Sequence, residues 1–250
     1  MENFEAKTVN NQLNRSLAAV WDFIDRTYCI SLAERTDRQA SAKAQFESVG
    51  LGDKMVFHLA QRHPADCEQG IFQSHQACLK MGLDAGARHI LVFEDDVVFG
   101  TVDAHRLRQG IAFFKDRSDC QILFLGCLAG RSRGTDTPGV HRVRYRCLAH
   151  AYLVKASLAR RLADEPWRGT PWDILLKKNA QNAFALYPSI AFQSNSPSDN
   201  RRHRTLETVR RIFGGLRVIQ MVNERYHRFR YAIIAAHLLL AGAVILWLLR

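Results

Sequence analysis

Three consecutive carboxylates, Glu94, Asp95 and Asp96, follow the apolar run Ile90-Leu-Val-Phe93, and the chain turns apolar again at Val97. Adjacent acids at the edge of a core repel one another and resist desolvation, so stability alone does not favour them there. A hard divalent cation such as Mg²⁺ or Mn²⁺ removes the conflict, because it takes carboxylate oxygens and keeps positions open for phosphate. The chemistry anticipated is a metal–diphosphate site. Strand-end acids also cap helices and line solvated turns, so these three residues leave that alternative standing.

A continuous apolar run of this length reads as a strand buried on both faces, and ligands of α/β sheets bind at the carboxyl ends of such strands. Thr27–Leu32 reads as a first buried strand, followed by a polar turn and a helix from about Gln39 to Val49. No glycine-rich phosphate loop is present, so Arg35 and Arg38 in that turn would have to meet any phosphate, unless they only solvate the helix start. Lys54–Ala60 is a second strand and Gly70–Gly82 a helix carrying Ser74 and His75. Neighbouring helix positions point about 100° apart, so these two do not form a nucleophile–base pair. Further strands are expected at Cys120–Gly126 and Cys147–Val154, with a lid-like loop between Ala129 and Val140. Helices follow from about Ser157 to Ala163 and from Ile174 to about Lys178. Ala183–Pro188 reads as an edge strand because of its proline.

Length and charge bound the rest. At 250 residues, one sizeable domain plus an appendage is expected. Of the net charge of +11, residues 201–250 carry ten arginines against Glu207 and Glu224, leaving +3 for the first 200 residues. The basicity is therefore not a nucleic-acid-binding face, and no nucleic-acid partner is expected. Six cysteines without a C-x-x-C pair suit a reducing compartment. The first residues lack the pattern of a secretory signal, so the main domain is expected in the cytoplasm. Leu17, Val20, Trp21 and Ile24 fall at helical spacing in an N-terminal arm, residues 1–26. Residues 206–230 read as a basic amphipathic segment, with Val209, Ile212, Phe213, Leu216, Ile219 and Met221 interleaved among arginines. Residues 231–249 are apolar except His237 and about long enough to span a bilayer, and the arginines before them favour a cytoplasmic main domain.

The order of these segments resembles glycosyltransferase family 25, the lipopolysaccharide-type glycosyltransferases, over roughly residues 27–200. The likeness rests on Ile30-Ser-Leu-Ala-Glu-Arg-Thr-Asp-Arg38 and on Glu68, Gly70, Ser74 and His75 of a Gly-Glu-x-Gly-Cys-x-x-Ser-His signature, with Cys67 and Ile71 departing from it. It continues through Val92-Phe-Glu-Asp-Asp-Val97, Leu123-Phe-Leu-Gly126, His150-Ala-Tyr152, Pro171-Trp-Asp173 and Pro188…Gln193…Ser198-Asp199. The usual Ala-x-Asp-Gly element is not clear between Leu59 and Asp66.

The resemblance implies a GT-A-like α/β domain at 27–205 with a mixed, mostly parallel central sheet, ahead of the C-terminal membrane helix. It implies an inverting hexosyltransferase that uses a nucleotide-diphosphate sugar, a UDP-hexose by analogy, and Mn²⁺ or Mg²⁺. Asp96 becomes the first metal ligand, with Glu94 or Asp95 holding the ion or touching the ribose. Ser74, His75, Arg35 and Arg38 fall to the donor site. An inverting displacement needs a carboxylate base near the acceptor hydroxyl. Asp173, in a loop with Trp167 and Trp172, is the first choice and Asp199 the second; Asp173 could instead cap the helix that follows. The expected acceptor is a lipopolysaccharide or other glycolipid or oligosaccharide at the cytoplasmic side of a bacterial inner membrane. Two other readings stand beside this one, a membrane-tethered binding module without activity and another metal-dependent nucleotide-using enzyme.

Overall fold

Alternation along the central strands sends side chains into two cores, one on each face of a sheet. On β3 (His89–Glu94), Leu91 and Phe93 enter the first core while Ile90 and Val92 enter the second. The computed structural model describes residues 16–194 and 214–248. Eight strands form the main sheet in the order β2-β1-β3-β8-β5-β9-β7-β6. They are β1 (Arg26–Leu32), β2 (Met55–Ala60), β3, β5 (Ile122–Phe124), β6 (Leu128–Gly134), β7 (Val140–Cys147), β8 (Ala151–Lys155) and β9 (Ala183–Leu186). Strands β2, β1, β3, β5 and β9 run one way, with β8 and β7 against them. A short antiparallel ribbon pairs β4 (Val97–Phe99) with β10 (Ala191–Gln193). This is the expected mixed, mostly parallel α/β sheet, with a long C-terminal helix appended.

Helices α1 (Thr36–Ser48) and α3 (Ala104–Asp116) cover the first face. Helices α2 (Cys67–Asp84), α4 (Ala156–Ala163) and α5 (Trp172–Asn179) cover the second. Phe46 of α1 is fully buried and meets Phe93 and Phe99 at ring-centroid distances of 5.1 and 6.1 Å. Leu17, Val20, Trp21 and Ile24 of the N-terminal arm are buried in this same core. Residues 101–119, unassigned from sequence, contain α3. Asp103 caps it by accepting from the backbone N–H of His105 and Arg106, and Leu107, Ile111 and Phe114 line its buried face at helical spacing.

Two expectations are overturned. β9 lies between β5 and β7 with all four residues buried, so it is a central strand; Pro188 falls beyond its end and removes no ladder hydrogen bond. The segment expected as a lid is mostly the β6–β7 ribbon, with only residues 135–139 as its loop. Glycine, serine and arginine in an exposed edge ribbon look from sequence like loop composition.

The C-terminal helix α6 (Gly215–Leu248) is continuous over 34 residues, about 50 Å at 1.5 Å per residue. The segments anticipated at 206–230 and 231–249 therefore share one helix across their junction, with 206–213 and 249 outside the described residues. The face set against the domain is largely polar. Gln220, Glu224 and His227 are buried, the anticipated apolar positions Leu216, Ile219 and Met221 are half-buried, and Val218, Val222 and Phe229 are exposed. The polar side chains serve backbone groups of the domain. Asn223 Nδ2 donates to Ala129 O and its Oδ1 accepts from Ala129 N–H, both at 3.0 Å. His227 Nε2 donates to the same carbonyl at 2.9 Å, Gln220 Nε2 to Ala191 O at 2.9 Å, and Ser189 N–H donates to Glu224 at 2.8 Å.

The register of β6 against β7 slips on either side of Ala129, which leaves that residue's backbone groups for the helix and covers part of a sheet edge. Gly126 makes the approach possible, since a Cβ there would stand 1.9 Å from Ala191 O and 2.5 Å from Gln220 Nε2. From Tyr231 onward the helix leaves the domain, and its most apolar stretch has no buried residue.

Replacing Asn223 with alanine orphans the Ala129 N–H, while His227 still donates to the carbonyl, and should cost about 2 kcal/mol, on the order of two hydrogen bonds. Thermal unfolding of the detergent-solubilised protein and hydrogen exchange at β6 would measure it. The exposed Tyr226→Ala control should change neither.

Candidate active site

The chain's winding reverses between β1 and β3. β2 lies on the other side of β1, and the helices after β1 and β2 pack on opposite faces of the sheet. In open α/β sheets such a reversal opens a crevice at the carboxyl ends of the strands. Here the crevice is a cleft of about 460 Å³, floored by the ends of β1 and β3 and walled by α2, the β7–β8 turn and the start of α5.

The pleat gives the three acids different surroundings. Glu94 continues the Ile90–Val92 face and meets α2, where its Oε1 lies 3.3 Å from His75 Nε2. Asp95 continues the Leu91–Phe93 face and meets α1 and β1. Ser31 Oγ donates to its Oδ2 at 2.6 Å, and Arg38 Nη1 donates to Oδ1 at 3.1 Å. Its own N–H bonds Ile30 O, so Asp95 ties the ends of β1 and β3 to α1. Asp96 follows in the turn before β4. Gln193 Nε2 donates to its Oδ2 at 2.8 Å, and its backbone carbonyl accepts from Ser194 N–H. Among the described residues no hydrogen-bond partner meets the buried Oδ1 of Asp96.

Burial raises the proton affinity of Glu94, Asp96 and Asp173. Glu94, 27% exposed toward the cleft, is pushed up to about 8 by desolvation, then by the charges of Asp173 and Asp95. Asp96 is pushed up to about 7 by desolvation and by Glu94, against the opposing hydrogen bond from Gln193. Asp173 is raised by desolvation as well. His75 is fully buried and held down to about 3 by desolvation, so it stays neutral; its Nδ1 lies 3.0 Å from the Tyr152 hydroxyl and its ring stacks on Trp172 at 4.8 Å. Among the described residues, Asp95 is the acid of this cluster paired with a guanidinium, that of Arg38.

Asp173 lies in the same cleft, in the first turn of α5, and does not cap its own helix. Its Oδ1 accepts from the Tyr145 hydroxyl and from Ala149 N–H at 3.1 Å, and its Oδ2 from Leu148 N–H at 3.2 Å. It thereby pins the β7–β8 turn, where Leu148 takes a φ of 75°. Ser74 lines the cleft with its hydroxyl bonded back to Gly70 O at 2.7 Å. Arg38 lines the cleft too. Arg35 does not: it forms a bidentate pair with Asp37, which holds that carboxyl down to about 2. Asp199 and Ser198 lie outside the described residues. Arg146, missed from sequence, lines the cleft from the end of β7 and forms no ion pair among the described residues. The alternation Arg142-Val-Arg-Tyr-Arg146 is a strand signal that could have found it.

Among the described residues, no group of three or more His, Cys, Asp or Glu is placed to hold a metal ion. Mg²⁺ sites on nucleotide phosphates need only one or two carboxylates, because phosphate and water complete the shell. Asp96, with a buried oxygen that lacks a partner, and Glu94 fit that requirement. Both are hard oxygen donors whose raised proton affinity marks a missing counter-charge.

No protein-family model matches the chain, and no curated protein matches it. Several solved structures are similar over much of its length at low identity. A197 from STIV matches at a TM-score of 0.43 and 12% identity, over 67% of this chain and 85% of that one. A glycosyltransferase involved in glycosylation of the major capsid of PBCV-1 matches at 0.41 and 9%, over 73% and 98%. A UDP-glucose pyrophosphorylase complexed with UDP-glucose matches at 0.37 and 13%, over 68% and 76%.

Between pH 6.5 and 8, Glu94 and Asp96 still hold protons in the folded protein, whereas the unfolded chain has lost them. Their stabilising contribution is full below the unfolded carboxylate range and is lost as pH rises through the folded values. The two acids together should contribute a loss of about 2 kcal/mol across that window in metal-free protein. His58, His75, His89, His141 and His150, whose values burial lowers, work the other way at the acid end of the window, so the acids' share is read as the difference between wild type and the Glu94 variant. Glu94→Gln should flatten the dependence, and millimolar Mn²⁺ should restore wild-type stability at pH 8, as read by thermal unfolding.

Proposed function

We propose that the chain is a metal-dependent glycosyltransferase that takes a hexose from a nucleotide-diphosphate sugar and places it on a membrane glycolipid or oligosaccharide. The observation that carries this is the pair Glu94 and Asp96, desolvated at the strand reversal with an oxygen of Asp96 left without a partner. The ordered motifs resembling glycosyltransferase family 25 support the choice of transfer over other nucleotide chemistry. Asp96 and Glu94 would hold a divalent cation, which when bound supplies charge neutralisation to the diphosphate leaving group.

The remaining roles fall to other side chains of the cleft. Asp95 holds Arg38 at the cleft, so that a guanidinium faces the phosphates from the α1 side. Arg146 offers a second guanidinium from β7. His75 stays neutral and orients Glu94 from behind, with Tyr152 fixing its ring. Trp172 stacks on His75 and stiffens the wall beside Asp173. Asp173 is the general base, accepting the acceptor hydroxyl's proton as the new glycosidic bond forms. Its three hydrogen-bond donors fix its orientation, and its desolvation raises its affinity for that proton. Helix α6 anchors the enzyme by spanning the bilayer, with the arginines before Tyr231 on the cytoplasmic side of a bacterial inner membrane.

Calorimetric titration of UDP-glucose and UDP-galactose with and without Mn²⁺, followed by product analysis with a glycolipid extract, tests the reading. Asp96→Asn should abolish metal-dependent donor binding and reduce turnover at least a hundredfold, consistent with losing a main electrostatic contact. Turnover that survives excess chelator would refute the metal assignment. Tyr145→Phe removes a donor that holds the Asp173 carboxyl down, so the acid limb of the kcat profile should move to higher pH. An unmoved limb with lowered donor affinity would make Asp173 a positioning residue. Deleting residues 231–250 should release the domain from membranes.

A further inference from the structure

A second cavity, of about 500 Å³, lies on the β6–β7 ribbon beside the point where α6 leaves the domain. Its lining includes Arg131, Arg133, Arg142, Arg144, Lys177 and Arg230, and no acidic side chain. None of the six forms an ion pair among the described residues. Arg142 donates to Asn182 Oδ1 and Arg230 to the Tyr231 hydroxyl, both neutral partners.

The ladder makes this arrangement costly. Arg131 stands directly opposite Arg144, and Arg133 directly opposite Arg142, so four guanidiniums share one face of the β6–β7 edge of the sheet. Like charges directly opposite are destabilising in a sheet. An anion seated among them reverses the sign, and the planar guanidinium fork suits phosphate oxygens.

Position narrows the anion further. Arg230 is the last residue before the apolar stretch, and Tyr231 beside it is 74% exposed. Arginine and tyrosine at the end of an apolar helix mark the headgroup level of a bilayer. A single-stranded nucleic acid would need exposed aromatic faces for its bases, and the one aromatic in the lining, Tyr145, is buried.

We infer that this cavity binds the anionic phosphate headgroup of a membrane lipid. The inference rests on α6 as the membrane anchor but not on the sugar-transfer chemistry. It also bears on the acceptor. Tyr145 lines this cavity while its hydroxyl bonds Asp173 in the other, and the alternate residue Arg146 lines the carboxylate cleft. A lipid phosphate held here lies next to the site where a phosphate-bearing lipid acceptor would be presented.

The test uses the full chain in neutral detergent, with short-chain phosphatidylglycerol and phosphatidylcholine titrated and bound lipid counted by native mass spectrometry. Wild type should retain phosphatidylglycerol at least tenfold more tightly, and the preference should weaken as salt rises. Arg131→Gln/Arg144→Gln should lose the preference while its thermal midpoint stays level or rises, because a repulsive pair is gone; Arg160→Gln/Arg161→Gln on α4 should keep it. Equal retention of the two lipids by wild type, or an undiminished preference in the first variant, overturns the inference. So does displacement of the lipid by millimolar inorganic phosphate, or tighter binding of a short oligonucleotide. Alkaline extraction of membranes is run alongside. If wild type washes out, the anchor reading fails by itself, while the detergent titration still judges the cavity.

Discussion

The cleft is governed by the cost of keeping carboxylates out of water without enough cations to match them. Glu94, Asp96 and Asp173 each raise or feel the proton affinity of another, and burial is the largest cause in every case. An arrangement of that kind is less stable as it stands than one with apolar side chains in the same places. It becomes favourable only when positive charge arrives. Among the described residues Arg38 pairs directly with Asp95, and its charge lowers Glu94 and Asp96 without outweighing their burial. The net shift of both acids stays upward, so an added cation still gains by binding them.

The separation of Glu94 from Asp95 follows from the pleat of β3. A two-residue period sends Glu94 toward α2 and Asp95 toward α1, and the helices on those two faces carry different partners, His75 and Arg38. The winding reversal at β1 and β3 places those helices on opposite faces in the first place. One register step in β3 would exchange the two acids, bringing Glu94 to the guanidinium and Asp95 to a neutral imidazole. The site therefore depends on strand register as much as on residue identity.

Much of this was legible in the sequence, and the failures have physical causes. The buried strands at 26–32, 55–60 and 89–94 announce themselves as apolar runs, and the acids at the end of the last one mark the cleft. The β6–β7 ribbon did not, because an edge ribbon carrying arginines on one face has loop-like composition. Ala183–Leu186 was misplaced because its proline was counted as part of the strand. Helix α6 shows a different limit. Hydrophobic periodicity picks out its apolar stripe but not the face that docks: Gln220, Asn223, Glu224 and His227 bond main-chain groups that no pattern in the sequence exposes. Arg38 and Arg35 look alike in the sequence, and only the fold sends one into the cleft and the other to Asp37.

The polar docking of α6 has a consequence for how a membrane enzyme would work. An apolar interface between helix and domain could slide or rotate at little cost, since it is held by area and not by direction. Hydrogen bonds to Ala129, Ala191 and Ser189 fix both the rotation and the axial position of the helix, because each donor and acceptor must meet one backbone group. Since the helix continues unbroken from that docking site through Tyr231 to Leu248, on the proposed anchoring the domain would inherit whatever orientation the apolar segment takes in a bilayer. A flexible tether would raise only the local concentration of a lipid substrate. A rigid one would also fix the height and tilt of the cleft, so that a headgroup held at the proposed arginine site would meet the same edge of the carboxylate site each time.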